Sequence, residues 1–139
     1  MLVSEQGVVK ITDFGLARSI EDKPYYRMCI VNGQSIALPL MWYAPECLCE
    51  FKFTSHSDIW SYGILLWEIF SLGGEPYYNC PPINAKIYEA LEQGQRLPQP
   101  QGCPDSIYEM MLQCWTFHPD DRPDFVHLAL FTQRRSEDY

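Results

Sequence analysis

Apolar residues crowd most densely between Ile59 and Phe70, where Glu68 is the one charge. Trp60, Ile64, Leu65, Trp67 and Ile69 leave this stretch almost no polar face, which predicts a central helix over 57–71 that is buried on most sides. Ser57 is its expected N-cap, Asp58 suits the first turn, and Gly73-Gly74 ends it. The run is shorter than the roughly 20 apolar residues a membrane-spanning helix needs. A second helix is predicted over 83–93, closed by Gly94. A third runs from Asp105 to Trp115, with Ile107, Met110, Met111 and Cys114 on one stripe. A fourth begins at Pro123 and turns Phe125, Leu128 and Phe131 towards a core. At the N-terminus, Leu2-Val3 and the stretch from Gly7 to Ile11 read as two short strands joined by a turn. Residues 15–40 show no sustained period and contain Gly15, Pro24, Gly33 and Pro39, so they predict a long functional loop. Residues 134–139 read as a polar tail, frayed at the end.

Composition adds limits to this pattern. With 139 residues, 47% of them hydrophobic, the chain is long and apolar enough for a packed core, which excludes wholesale disorder. A net charge of −8 argues against nucleic acid or an anionic membrane surface as a partner. The six cysteines, at 29, 47, 49, 80, 103 and 114, form no Cys-x-x-Cys pair. The start, Met1-Leu2-Val3-Ser4-Glu5-Gln6, has neither a basic nor an apolar run of the signal-peptide kind. Reduced thiols in a cytoplasmic protein are therefore expected, rather than disulfides or zinc.

Chemistry concentrates in the irregular part of the chain. Asp13-Phe14-Gly15 places a carboxylate on a tight turn, and carboxylate oxygen is what Mg²⁺ prefers. Further on stands Ala44-Pro45-Glu46, with the adjacent Tyr25 and Tyr26 between the two motifs. The acid pairs Asp120-Asp121 and Glu137-Asp138 read as solvated loop and tail residues. His56, His118 and His127 show no metal-ligand spacing with the cysteines.

Taken in order, these motifs resemble the second half of a protein tyrosine kinase catalytic domain. The matching strings are Asp13-Phe14-Gly15-Leu16-Ala17-Arg18, Trp42-Tyr43-Ala44-Pro45-Glu46-Cys47, Ser57-Asp58-Ile59-Trp60-Ser61-Tyr62-Gly63, and Cys114-Trp115 through Asp121-Arg122-Pro123. They cover almost the whole chain. The resemblance implies a protein-kinase-like α+β fold of which only the C-terminal lobe is present, mostly α-helical with a short N-terminal β element. It implies a partial kinase domain over 1–133 ahead of the tail at 134–139. Asp13 would ligate Mg²⁺ against the phosphates of ATP. Tyr25 and Tyr26 would be activation-loop phosphoacceptors, with Arg18 and Arg27 as nearby cations. Pro39, Leu40, Met41 and Trp42 would seat a tyrosine-bearing peptide. Met41 departs from the basic residue common at its place, which puts an anion contact from there in doubt. Glu46 and Arg122 would form a buried ion pair, and Asp58 would accept hydrogen bonds from the catalytic-loop backbone, all three in structural roles.

The same resemblance says what to expect elsewhere. The chain holds no Gly-x-Gly-x-x-Gly loop, no Val-Ala-Ile-Lys strand and no His-Arg-Asp loop. The catalytic base, a second metal ligand and the ATP pocket are expected upstream of Met1. ATP and Mg²⁺ belong to the complete domain, and neither is expected to bind this chain tightly. Expected partners are protein or peptide tyrosine substrates, together with adaptor or regulatory domains upstream in the parent. The Trp42-to-Cys47 string is most similar to cytoplasmic non-receptor kinases of the Syk type. A truncated, non-catalytic lobe acting as a binding or competitor module is the alternative. Without upstream cover, Ile64, Leu65, Trp67 and Ile69 are expected to be partly exposed, making the chain marginally stable and prone to aggregate.

Overall fold

A computed structural model describes residues 2–19, 25–27, 39–77 and 84–136, with only the backbone described at 26, 27, 84, 85, 135 and 136. The expected loop elements Pro24, Cys29, Gly33 and Leu38, the residues Cys80 and Ile83, and the tail acids Glu137 and Asp138 lie outside the described residues.

Strands β1 (Leu2–Val3) and β2 (Val9–Lys10) pair antiparallel, with Leu2 opposite Lys10. Gly7, at a φ of 77°, makes the left-handed step of the turn between them. Strand β3 (Tyr26–Arg27) lies inside the stretch expected to be loop. It pairs antiparallel with β4 (Lys52–Phe53), Tyr26 opposite Phe53. Unlike β1 and β2, which a short turn joins, these strands meet across 27 positions, so this pairing leaves no trace in the sequence pattern.

Helix α1 (Pro45–Glu50) was not legible either, because six residues are less than two full turns. Pro45 opens it, Pro45, Cys47 and Leu48 are buried, and Phe51 ends it at a left-handed φ of 52°. The central helix, α2 (Ser55–Phe70), starts two residues before the expected boundary. Thr54, not Ser57, is the N-cap. Thr54 Oγ1 accepts from the Ser57 N–H at 3.2 Å and Ser57 Oγ accepts from the Thr54 N–H at 2.9 Å, a reciprocal capping box. At the other end the helix unwinds through Leu72 (φ 58°) and Gly73 (φ 86°), and the Gly73 N–H bonds back to the Glu68 carbonyl. Leu72 thus takes the first left-handed step that the sequence reading gave to glycine.

Helix α3 (Asn84–Glu92) ends at Gly94, whose φ is 85°. Helix α4 (Asp105–Cys114) buries Met110, Met111 and Cys114, with Ile107 packed beside them. Helix α5 (Phe125–Ser136) begins after Pro123, since the Asp124 carboxylate accepts from the His127 N–H at 2.7 Å and takes the cap position. It runs into the segment read as tail. Phe125, expected in the core, is 46% exposed, although its ring meets Tyr62 edge-on; Leu128 is the α5 residue that is fully buried.

Helix α2 packs on α4, and α1 packs on α3. Between them lies one apolar core of Ile59, Trp60, Ile64, Leu91, Met111, Cys114 and Trp115, among others. Gly63 lets α2 and α4 approach closely, because a Cβ there would lie 2.6 Å from Trp115 Nε1 and 2.9 Å from Cys114 Cβ. Among the described residues no helix is long and apolar enough to cross a membrane.

The expected exposure along α2 is corrected in part. Ile64 is fully buried, Leu65 and Trp67 are half-buried, and only Ile69 is half open to solvent. The larger exposed apolar strip is on the N-terminal stretch, at Leu2, Val3, Val8, Val9, Ile11, Phe14 and Leu16.

Candidate functional site

Asp13 stands three residues past the end of β2 and sits at a φ of 64°, the left-handed region that non-glycine residues rarely adopt. Asp tolerates it better than most, and backbone held there is often tied to function. The next turn is closed by the Ala17 N–H on the Phe14 carbonyl at 3.0 Å. Arg18 Nη1 donates to the carbonyls of Gly15 at 3.1 Å and Ala17 at 2.7 Å, so its guanidinium braces the turn. The Asp13 side chain is exposed. Among the described residues no group of three His, Cys, Asp or Glu side chains converges. One exposed carboxylate fits a Mg²⁺ held chiefly by phosphate oxygens and water, and does not make a self-contained metal centre.

Beyond this turn, a cavity of about 330 Å³ separates Leu16, Ala17 and Arg18 from the start of α2. Tyr43 and Phe53 form its apolar side and Ser57, Asp58 and Ser61 its polar side. Asp58 is exposed to this space, while protein mass on its other side desolvates the carboxyl and raises its pKa. No described residue hydrogen-bonds that carboxylate.

Residues 39–42 lead directly into Tyr43, which lines the cavity. Leu40–Trp42 form a single 3-10 turn, with the Trp42 N–H on the Pro39 carbonyl at 3.1 Å. Pro39 is exposed, and Leu40, Met41 and Trp42 are half-buried against the core. Ser61 Oγ donates to the Trp42 carbonyl at 2.8 Å, and Trp42 Nε1 donates to Glu68 Oε2 at 2.7 Å. Both contacts come from α2. The sequence pointed to residues 39–42 but not to the two residues that hold them. The one signal for Glu68 was its isolation as an acid in an apolar run.

Glu46 and Arg122, 76 residues apart, meet in a two-pronged ion pair at 2.7 and 2.9 Å. Arg122 also donates to the carbonyls of His56, Thr116 and Phe117. Its guanidinium lies 5.1 Å from the centre of the Trp60 ring, with Arg96 at 5.3 Å. The pair therefore joins α1, the start of α2 and the segment between α4 and α5 around one buried indole.

Tyr25 is partly exposed, and Lys52 Nζ lies 5.4 Å from the centre of its ring. The β3–β4 pairing holds this part of the loop beside Lys52. Tyr26 and Arg27 are described by backbone alone. The structure brings Asp58 and Ser61 to one cavity, bonds Trp42 to Ser61, leaves Asp13 on the exposed turn just before the cavity-lining Leu16, and joins Glu46 to Arg122 beside the buried Trp60.

Residues 1–131 match the family profile described as protein tyrosine and serine/threonine kinase, and the chain belongs to that family, as part of a tyrosine kinase catalytic domain. It is 44% identical over 138 residues to the tyrosine-protein kinase receptor ver-3 of Caenorhabditis elegans, covering 99% of this chain and 11% of that protein. It is 46% identical over 144 aligned positions to the fibroblast growth factor receptor homolog 1 of Drosophila melanogaster, covering all of this chain and 19% of that one. The tyrosine-protein kinase transforming protein Fps of avian sarcoma virus (strain PRCII) is 44% identical over 136 residues, 96% of this chain and 24% of its own length. The chain thus spans between a tenth and a quarter of the length of these relatives.

Proposed function

We propose that this chain is the activation segment and C-terminal lobe of a cytoplasmic non-receptor tyrosine kinase of the Syk type, whose complete domain transfers the γ-phosphate of ATP to protein tyrosine. Residues 1–133 form the partial kinase domain, and 134–139 form its tail. The observation that carries the reading is the placement of residues 39–42 against α2, where Ser61 donates to the Trp42 carbonyl at 2.8 Å and itself lines a cavity bounded on another side by Leu16, Ala17 and Arg18. Asp13 would hold Mg²⁺, which when bound neutralises charge on the phosphates. Its carboxylate is exposed, open to a nucleotide. The exposed Pro39 and the half-buried Leu40, Met41 and Trp42 offer a shelf for a peptide whose tyrosine hydroxyl must reach that phosphate. Asp58, facing the cavity with no described partner, suits acceptance of N–H groups from a catalytic loop. Tyr25, exposed beside Lys52, suits phosphorylation that is then stabilised by a cation. The Syk-type and non-receptor assignment is supported by the string from Trp42 to Cys47.

A receptor parent is the second reading, favoured by the names of two of the relatives. The coding sequence upstream of Met1 separates the two, since a membrane-spanning segment there identifies a receptor. The activity is tested on the longest protein expressed with this segment, by transfer of phosphate from MgATP to a tyrosine peptide. Asp13→Asn is expected to lower transfer at least a hundredfold while leaving peptide binding unchanged. Full transfer by the variant would remove Asp13 from the metal site. Residues 1–139 alone are expected to show no transfer, and robust turnover by them would overturn the need for further segments.

A further inference from the structure

Helix α5 turns Leu128 into the core and rests Phe131 against it, and its other described side chains are open to water. Val126 is 67% and Leu130 50% exposed, and Ala129 is exposed beside them. Three and four positions apart, these residues form one apolar strip on the side of the helix away from Leu128. Phe125 borders the strip, with its ring edge-on to Tyr62. Neither the cavity beside Arg18 nor the Glu46–Arg122 pair uses any of them.

The strip lies between opposite charges. Asp120, Asp121 and Asp124 are exposed at the start of the helix, and Arg134 is exposed in its last turn, followed in sequence by Arg135. Asp124 caps the His127 N–H, but among the described residues none of the three acids and Arg134 forms an ion pair. Two such helices laid side by side in parallel would set like charges together at both ends. Laid antiparallel, with Val126 level with Leu130 of the other helix, they bring each Arg134 towards the other's Asp121 and Asp124. Their dipoles then also run in opposite senses, which places each positive end beside a negative one.

We propose that the outer face of α5 binds a second copy of this chain, as an antiparallel pair of α5 helices related by a twofold axis. Val126, Ala129 and Leu130 form the apolar centre of the contact, and Arg134 with Asp121 and Asp124 forms a charged rim at each end. Such a contact uses the same patch on both copies and therefore closes at two. The patch is small, so the dimer is weak, with a Kd on the order of 10 μM. The exposed rim makes it sensitive to salt. The proposal does not rest on the catalytic reading, which uses none of these residues.

The test is sedimentation velocity on the longest protein expressed with this segment, from the low micromolar range to well above the expected Kd. A reversible monomer–dimer equilibrium is expected, at least about threefold weaker in 0.5 M than in 0.05 M salt. Val126→Lys combined with Leu130→Lys puts like charges at the centre and should raise the Kd at least about tenfold. Arg134→Glu and Asp121→Arg, made separately, should each raise it at least about fivefold. An equimolar mixture of those two single variants should return to within about threefold of the parent, because in the mixed dimer every rim charge meets its opposite. A monomer at every concentration, assembly beyond two, a Kd unmoved by the lysine pair, or a mixture no tighter than its components would each overturn the proposal. Association abolished instead by Val3→Lys and Ile11→Lys would assign the contact to the N-terminal strip and overturn it equally. If the lysine pair fails to fold, the mixing experiment decides alone, since it alters exposed charges only.

Discussion

Single residues in this chain differ most in how far the fold isolates them from water. Cys47 and Cys114 are fully buried, and burial pushes both thiols up to about 12. Cys49, one position from α1's end, is exposed. Iodoacetamide at pH 8 is therefore expected to modify Cys49 in the native protein and to reach Cys47 and Cys114 only after denaturation, as read by peptide mass spectrometry. The same burial gives stability a direction with pH. Unfolded thiols ionise near 9.0 whereas the folded ones stay protonated up to about 12, so the native state holds more protons between those values. Stability should be fully present below about pH 9 and fall as pH rises towards 12, which urea titrations across that range would show. The Glu46–Arg122 pair makes a different prediction. Its Arg side chain is wholly buried and its Glu side chain 11% exposed, so removing one partner strands the other. Arg122→Met or Glu46→Met should each cost about 3–5 kcal/mol, and the double replacement clearly less than the sum of the two.

Among the elements, the α2–α4 contact decides a sign that helix propensity alone would get wrong. Alanine in place of a mid-helix glycine normally gains about 1 kcal/mol. At Gly63 the new Cβ would meet Trp115 Nε1 at 2.6 Å, and the indole is fully buried with no room to retreat. Overpacking costs about 1–3 kcal/mol, so Gly63→Ala is expected to lower the thermal midpoint. A raised midpoint would mean that α2 and α4 separate more easily than their packing indicates. The long periodic helices were largely legible in the sequence, because burying one face needs a repeat that the eye can follow. Their starts were less so. Ser57 and Pro123 carry good start chemistry, yet Thr54 and Asp124 took those roles, since which polar side chain meets a free N–H depends on the backbone around it. Helix α1 was invisible for want of length, and strands β3 and β4 because no short turn joins them.

For the whole molecule, the imbalance of exposed apolar surface stands out. Seven large apolar side chains between Leu2 and Leu16 are more than half open to water, while the helical core closes over Trp60, Ile64 and Trp115. Such a strip invites association. Residues 1–139 alone are expected to aggregate at micromolar concentration. Replacing Val3 and Ile11 by lysine should reduce light scattering while leaving the helical unfolding transition in place, because neither residue belongs to the core. Loss of that transition would show that the N-terminal hairpin supports the helices after all.

The sequence by itself determined the family, the order of the helices, and the residue types at the Asp13 turn, the tyrosine pair and the Pro39–Trp42 segment. Those features are local: a carboxylate before a turn, a proline before a tryptophan, an apolar repeat. Tertiary structure alone decided what holds them. Glu68 reaches Trp42 across 26 residues, Arg122 reaches Glu46 across 76, and Lys52 comes to Tyr25 through a two-residue strand pair. Contacts between distant positions carry no period and no spacing rule, so they exist only once the core has brought the elements together.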